Sequence, residues 1–221
     1  MVLEGVRLVE EALAAGAVFH FVLFDERAEH TERGRMLLER LAASSVALHR
    51  SEPSVMTAIS DTEAPPGLLA VVSQPRPGLP AKLGAVLVLD GVKDPGNLGA
   101  CLRTALAAGV GAVLLAPGTA DPSAAKVARA ALGAHFLLPI VRVSWSDARE
   151  LCQRHELAVW VADARGARSC YEVDWRRPWA LVMGGEAEGP SESAMAMGAT
   201  VRIPMPGPTE SLNVAAAAAV L

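Results

Sequence analysis

Ala85-Val86-Leu87-Val88-Leu89-Asp90-Gly91-Val92-Lys93-Asp94-Pro95-Gly96-Asn97-Leu98-Gly99 is the stretch that decides the fold of this 221-residue chain. Ala85–Leu89 carries no polar residue to mark a wet face, which is the pattern of a strand buried on both sides of a parallel sheet. Acids, glycines and a proline then end the apolar run, and apolar residues at helical spacing resume over Leu98–Ala108. Strand, polar turn and helix in that order make the first half of a βα unit. The alternation continues, predicting strands over Ala112–Ala116, Phe136–Val141, Ala158–Ala162, Ala180–Met183 and Thr200–Ile203. Helices are expected over Asp147–His155, Ser191–Met197 and from Leu212 to Leu221. One more should open at Asp121-Pro122, as N-cap and first helical residue, and close at Gly133. Such alternation predicts a parallel sheet covered on both faces.

Upstream, Gln74–Pro80 holds three prolines and a glycine in seven residues. It continues neither a helix nor a central strand, so residues 74–80 read as a linker between 1–73 and 81–221. The front segment predicts a small α/β domain: a helix over Leu3–Ala15, a strand over Val18–Phe24, and a helix over Thr31–Ala43 with Thr31 as N-cap. A strand over Val46–His49, a helix over Pro53–Ile59 and a strand over Leu68–Val72 complete it.

At 52% hydrophobic and 20% charged residues, the chain can bury a real core. No apolar stretch reaches the ~18 residues a membrane span needs. Glu4, Arg7, Glu10 and Glu11 make the N-terminus unlike a signal peptide. Cys101, Cys152 and Cys170 are far apart and form no C-x-x-C pair, which predicts reduced thiols in a cytoplasmic protein. His20, His30, His49, His135 and His155 show no ligand spacing, so no metal is expected. Net charge is −4, and 17 of the 20 basic residues are arginine. Residues 1–76 hold 7 basic and 11 acidic side chains, and the remainder 13 of each. This argues against a coat protein that grips nucleic acid by counterion release alone, and is compatible with an enzyme that reads one folded RNA through a local patch.

In open parallel sheets, ligands gather beyond the carboxyl ends of the strands. Three unusual segments fall there: Asp90–Gly99 leading into the helix with Arg103, Gly184–Pro190, and Ile203–Asn213. Each has a plain reading by itself. Asn97 caps its helix, Arg103 is solvated, Gly184–Gly189 is a turn with Glu186 on its surface, and Ser211 caps a helix behind the rigid Pro204–Pro208 loop. Together they place polar, rigid or glycine-rich residues on one sheet edge three times. A G-x-G-x-x-G turn, a phosphate-binding G-x-x-x-x-G-K-[ST] loop and a G-x-S-x-G elbow are all absent, which argues against dehydrogenases, P-loop enzymes and α/β-hydrolases.

Asn97-x-Gly99-x-x-x-Arg103, Gly184-x-Glu186-x-x-Gly189, and Ile203-Pro204-Met205 followed by Ser211-Leu212-Asn213-Val214 agree in order and spacing with the SpoU/TrmH class of SPOUT methyltransferases. The resemblance spans about Val86 to Leu221. The segments Val2–Arg7 and Pro66–Val71 are similar to the family's RNA-binding extension. Position 185 is Gly, where many relatives carry Asn or Ala. The resemblance implies an α/β fold whose C-terminal parallel sheet carries a deep trefoil knot, behind a small N-terminal RNA-binding domain. It implies S-adenosyl-L-methionine as cofactor, held near Met183, Gly184, Gly189, Ile203, Met205 and Leu212. It implies transfer of the methyl group to a ribose 2′-hydroxyl in ribosomal or transfer RNA. Arg103 would activate that hydroxyl; because a guanidinium stays protonated, stabilisation of the developing alkoxide or a grip on the neighbouring phosphate suits it better than proton abstraction. Asn97, Glu186, Ser211 and Asn213 would orient Arg103, the ribose and the loops. A homodimer is implied through the Arg103 helix and the C-terminal helix, where Ala100, Ala105, Ala107, Ala108 and Ala215–Ala219 allow close approach. The alternative is a non-catalytic RNA-binding or ribosome-assembly protein on the same fold.

Overall fold

The computed structural model describes residues 1–221. The front part, in chain order, is β1 (Val2–Glu4), α1 (Val6–Ala14), β2 (Phe19–Phe24), α2 (Glu26–Glu29), α3 (Glu32–Ala43), β3 (Leu48–Arg50), α4 (Pro53–Ile59) and β4 (Leu68–Val72). Its sheet runs β1-β4-β2-β3, with β4 antiparallel to both neighbours and β3 parallel to β2. Leu3, Val22, Leu68, Ala70 and Val72 point to one face, where Leu8 and Val9 of α1 and Leu37 and Leu41 of α3 close the core. Thr31 caps α3 by accepting from Gly34 N at 3.0 Å.

The back part follows as β5 (Ala85–Asp90), α5 (Pro95–Ala107), β6 (Ala112–Leu115), α6 (Ala125–Ala131), α7 (Ala134–Leu137), β7 (Ile140–Arg142), α8 (Trp145–Arg154), β8 (Ala158–Ala162), β9 (Arg168–Ser169), β10 (Trp179–Gly184), α9 (Glu192–Met195), β11 (Ala199–Arg202) and α10 (Val214–Val220). The seven strands are all parallel, in the order β7-β6-β5-β10-β8-β11-β9. Strand parity sorts the two cores. Leu87, Leu89, Leu181 and Met183 meet Leu98, Cys101 and Leu102 of α5 and Val214 of α10. Val86, Val88, Leu114, Ala180 and Val182 meet Ala148 and Cys152 of α8 and Ala194 of α9. No helix is long and apolar enough to cross a membrane.

The structure corrects several local expectations. Val2–Glu4 is an edge strand, so the first helix begins at Val6, after Gly5 with φ 98. Asp121 does not cap a helix. Its carboxylate accepts from Ser123 N at 3.0 Å and from Ser123 Oγ, a local turn that delays α6 to Ala125; short polar side chains compete with helix in this way. α6 ends at the left-handed Leu132, and Gly133 instead precedes α7. Ala134–Leu137 is therefore helical where a strand over Phe136–Val141 was expected, and the strand is confined to Ile140–Arg142. Asp94, not Asn97, caps α5, accepting from Asn97 N at 2.8 Å.

Candidate active site

β5 and β10 lie side by side at the centre of the sheet, and the chain leaves them toward opposite edges. Their carboxyl ends thus open a crevice at a topological switch point. Beyond the ends of β8, β10 and β11 lies a cavity of about 760 Å³, walled by Ala162–Arg165, Met183–Pro190, Ile203, Met205 and Ser211–Val214. Met183, Gly184, Gly189, Ile203, Met205 and Leu212 all stand on that wall, as do Glu186, Ser211 and Asn213.

The 184–190 loop is closed on itself. Gly185 and Gly189 form an antiparallel bridge, with Gly189 N donating to Gly185 O at 3.0 Å. A Cβ at Gly184 would collide with Gly189 and Pro190 backbone, and one at Gly185 would lie 2.5 Å from Gly91 O. This close approach of two loops accounts for glycine at position 185. Asp90, 6% exposed at the end of β5, accepts from Ser191 N at 2.7 Å and ties the far end of the loop to the central strand.

Three side chains knit the three segments together. Asn97 Nδ2 donates to Glu186 Oε1 at 2.8 Å, and Asn213 Nδ2 donates to Asn97 Oδ1 at 2.9 Å. Asn213 Oδ1 in turn accepts from Ala215 N and Ala216 N, so Asn213 is the N-cap of α10. The expected cap, Ser211, makes no side-chain hydrogen bond; its place is on the cavity wall. Burial pushes the Glu186 carboxyl up, but the Asn97 amide and the backbone N–H groups of Glu186, Lys93 and Asp94 outweigh it and hold the pKa below the ordinary carboxylate range. Glu186 is thus a fixed anion at the start of α5. Burial and the Glu186 charge push the nearby Cys101 thiol up to about 12, which leaves it protonated and unsuited as a nucleophile.

Arg103 stands apart. It lies roughly 9 Å farther along α5 than Asn97, from a rise of 1.5 Å per residue. It is exposed, has no hydrogen bond or ion pair within the chain, and is not on the cavity wall. The structure therefore brings together Asn97, Glu186, Asn213 and the six apolar or glycine positions, and leaves Arg103 outside them. Sequence reasoning missed Asp163–Arg165, which follow β8 and form part of the wall. Their signal was the polar Asp163-Ala164-Arg165-Gly166 turn at a strand's carboxyl end. A second cavity of about 620 Å³ shares Arg165, Ile203, Met205 and Ser211 with the first and adds Arg202, Thr209 and Glu210. No group of three or more His, Cys, Asp or Glu is placed to hold a metal ion.

The dimensions and lining suit a nucleoside-sized cofactor. Pockets for such ligands run to roughly 300–1,000 Å³ and pair apolar walls with a few placed polar groups. Here Ile203, Met205 and Leu212 offer flat apolar contact for a base, and the side-chain-free Gly184–Gly185 backbone leaves room for a ligand to approach main-chain N–H and C=O groups.

Residues 84–221 match the SpoU rRNA Methylase family, and residues 1–70 match the MRM3-like substrate binding domain. The chain is 34% identical over 227 residues to an uncharacterized tRNA/rRNA methyltransferase of Synechocystis, covering 100% of this chain and 81% of that protein. It is 33% identical over 221 residues to the 23S rRNA (guanosine(2553)-2′-O)-methyltransferase RlmP of Bacillus subtilis, covering 99% of this chain and 85% of that one. Among solved structures, the SpoU methyltransferase AviRb of Streptomyces viridochromogenes, in complex with the cofactor AdoMet, superposes with a TM-score of 0.88 at 27% identity, covering 100% of this chain and 86% of that one.

Proposed function

Because the chain belongs to the SpoU rRNA methylase family, we propose that the cavity described above is where it moves a methyl group onto the ribose 2′-hydroxyl of a nucleotide in ribosomal RNA. The protein is an RNA 2′-O-ribose methyltransferase that uses S-adenosyl-L-methionine. The observation that carries the site assignment is the hydrogen-bonded path Glu186–Asn97–Asn213, which ties the Asn97 segment to the two segments that wall the cavity.

Bound there, the cofactor supplies a methyl group on an electron-poor sulfonium. The chain's own task is to align a ribose oxygen with it and to manage one proton. Met183, Gly184, Gly189, Ile203, Met205 and Leu212 hold the cofactor by apolar contact and backbone approach. Asn97 and Asn213 have their amides oriented by neighbours on both sides, so the rim keeps its shape without reorganising during reaction. Glu186 contributes a fixed negative charge, and Ser211 a free hydroxyl on the wall. Arg103 stabilises the developing alkoxide or holds the adjoining phosphate.

Arg103 reaches reacting atoms by standing at the edge of a partner's cavity. A homodimer through α5 and α10 suits this: the exposed Ala107, Ala108, Ala216 and Ala219 present small side chains beside it. The knot belongs to the same reading, supported by the packing of α10 back onto α5 and β10. Residues 1–73 bring the RNA, 74–80 connect, and 81–221 carry out transfer, in the cytoplasm.

Tritium transfer from labelled S-adenosylmethionine to ribosomal RNA, followed by mapping of 2′-O-methyl positions in RNA from cells with and without the gene, tests the proposal. One 2′-O-methyl mark lost with the gene and restored by the protein is the expected result. Cofactor binding without turnover on ribosomal or transfer RNA would instead make it an RNA-binding or assembly protein.

A further inference from the structure

Glu4 and Arg129 are 125 residues apart and belong to different halves of the chain, yet Arg129 Nη1 donates to Glu4 Oε2 at 2.5 Å. The Glu4 side chain is only 3% exposed and that of Arg129 26%. The other carboxylate oxygen, Oε1, accepts from Asp61 N at 3.0 Å. Glu4 therefore has both oxygens committed, one to its own domain and one to α6 of the other.

No other hydrogen bond or ion pair crosses that junction. Ala128 of α6 and Phe136 of α7 enter the front core. Gly133 leaves room for Glu11, where a Cβ would come 2.8 Å from the Glu11 Cβ. These are van der Waals contacts without a directional bond. An ion pair with hydrogen bonds adds direction, and geometric definition is the best-attested use of a buried charge pair, whose net stabilisation is small. Residues 73–84, the covalent connection, contain neither helix nor strand.

The opposite side of α6 leads to the site. Val127 and Ala131 join the sheet core with α5. At Gly99, two residues after Asn97, α5 approaches α6 so closely that a Cβ would collide with Ala130 and with the Val127 carbonyl oxygen, 2.7 Å away. The front domain is thus pinned to α6, and α6 is packed without slack against the helix that carries Asn97 and Arg103.

We propose that the Glu4–Arg129 ion pair is the positioning contact that holds the RNA-reading domain in register with the methyl-transfer cavity. The proposal rests on the functional reading above. Neither residue touches cofactor or ribose; each acts through the angle and distance at which the front domain delivers the RNA.

The full-length chain and its Glu4→Gln, Arg129→Gln and double variants test this, with Arg129→Lys as a milder change should a glutamine variant fail to fold. Methyl-transfer kinetics on ribosomal RNA should show KM raised about tenfold in each single variant, with kcat changed less than about threefold. Cofactor affinity by calorimetry should stay within about twofold. The double variant should be no worse than the singles, because groups in one contact are coupled. Singles that multiply, or a loss that falls on kcat and cofactor affinity instead, would overturn the proposal. Small-angle scattering needs no substrate: wild type should fit one rigid particle, and Glu4→Gln or Arg129→Lys a broadened interdomain distance. Indistinguishable profiles would overturn the proposal even if the wild type methylates RNA. A wild type that methylates no RNA, with the scattering difference present, would overturn the functional reading and leave the junction as described.

Discussion

Asn213 Nδ2 donates to Asn97 Oδ1 at 2.9 Å, joining the first turn of α5 to the N-cap of the C-terminal helix. Neither amide is free to flip. The nitrogen of Asn97 is held by Glu186, and the oxygen of Asn213 by the N–H groups of Ala215 and Ala216.

Two substitutions at Asn213 separate its two tasks. Asn213→Asp keeps an acceptor for the helix cap but sets a carboxylate against Asn97 Oδ1. It should weaken cofactor binding about tenfold, because the loop that walls the cavity loses its tie to α5, and lower the urea midpoint less than loss of the cap does. Asn213→Ala should lose the cap as well, lowering stability by about 1 kcal/mol. Calorimetry and denaturant titration check both, and unchanged affinity in Asn213→Asp would refute the assignment.

Glu186 predicts a pH signature. Its folded-state pKa is depressed by hydrogen bonds that outweigh burial. The stability it contributes is therefore present above the ordinary carboxyl pKa and lost as pH falls through the folded value. Glu186→Gln cannot titrate. The difference in urea midpoint between wild type and Glu186→Gln should be largest near neutral pH and shrink as pH falls through the folded-state value. A difference that grows on acidification would contradict the sign.

Gly184→Ala should abolish measurable cofactor binding, because its Cβ has no place against Gly189 and Pro190. Gly207→Ala is the control within a neighbouring segment. There a Cβ would meet nothing within 4 Å. Isothermal titration with S-adenosylmethionine should show loss in the first and near-normal affinity in the second.

Arg103→Ala should lower methyl transfer by at least about a hundredfold, the usual scale for removing one donor to a developing oxyanion. Cofactor affinity should stay within about twofold, since Arg103 is off the cavity wall. Mixing Arg103→Ala with a cofactor-binding variant such as Gly184→Ala should restore part of the activity if one subunit's arginine serves the other's cavity. Absence of rescue in demonstrated mixed dimers would remove the shared-site reading.

The sequence carried the sheet and most of the wall because those features are local in their causes. A strand buried on both faces must be apolar throughout, and β5, β8 and β10 read so. The glycines at 184, 185 and 189 announce a tight loop, and the Pro204–Pro208 segment a stiff one. What escaped was set by competition or distance. Val2–Glu4 joins the helical spacing of Val6 and Val9 on paper, but pairs with β4 some seventy residues on. Ser211 and Asn213 are both good caps; the helix starts behind Asn213, whose amide also donates to Asn97 on a distant segment. Asp163–Arg165 have no chemistry of their own until β10 and β11 flank β8. The contact of Glu4 with Arg129 depends on how two domains meet, which no periodicity encodes.

The path from Glu186 through Asn97 to Asn213 also says something about how the molecule is born. Its two links join residues 89 and 116 positions apart in the chain. Loops of that length close late, after local strands and helices have formed. During synthesis, a chain extended only to β11 already has its apolar sheet but lacks Leu212 and Asn213, and therefore one wall of its cavity. On the site assignment proposed above, occupancy by the cofactor becomes a certificate of maturity. The ligand would stabilise only molecules whose last segment has arrived, and a chain stopped at β11 lacks the wall that would hold the methyl donor.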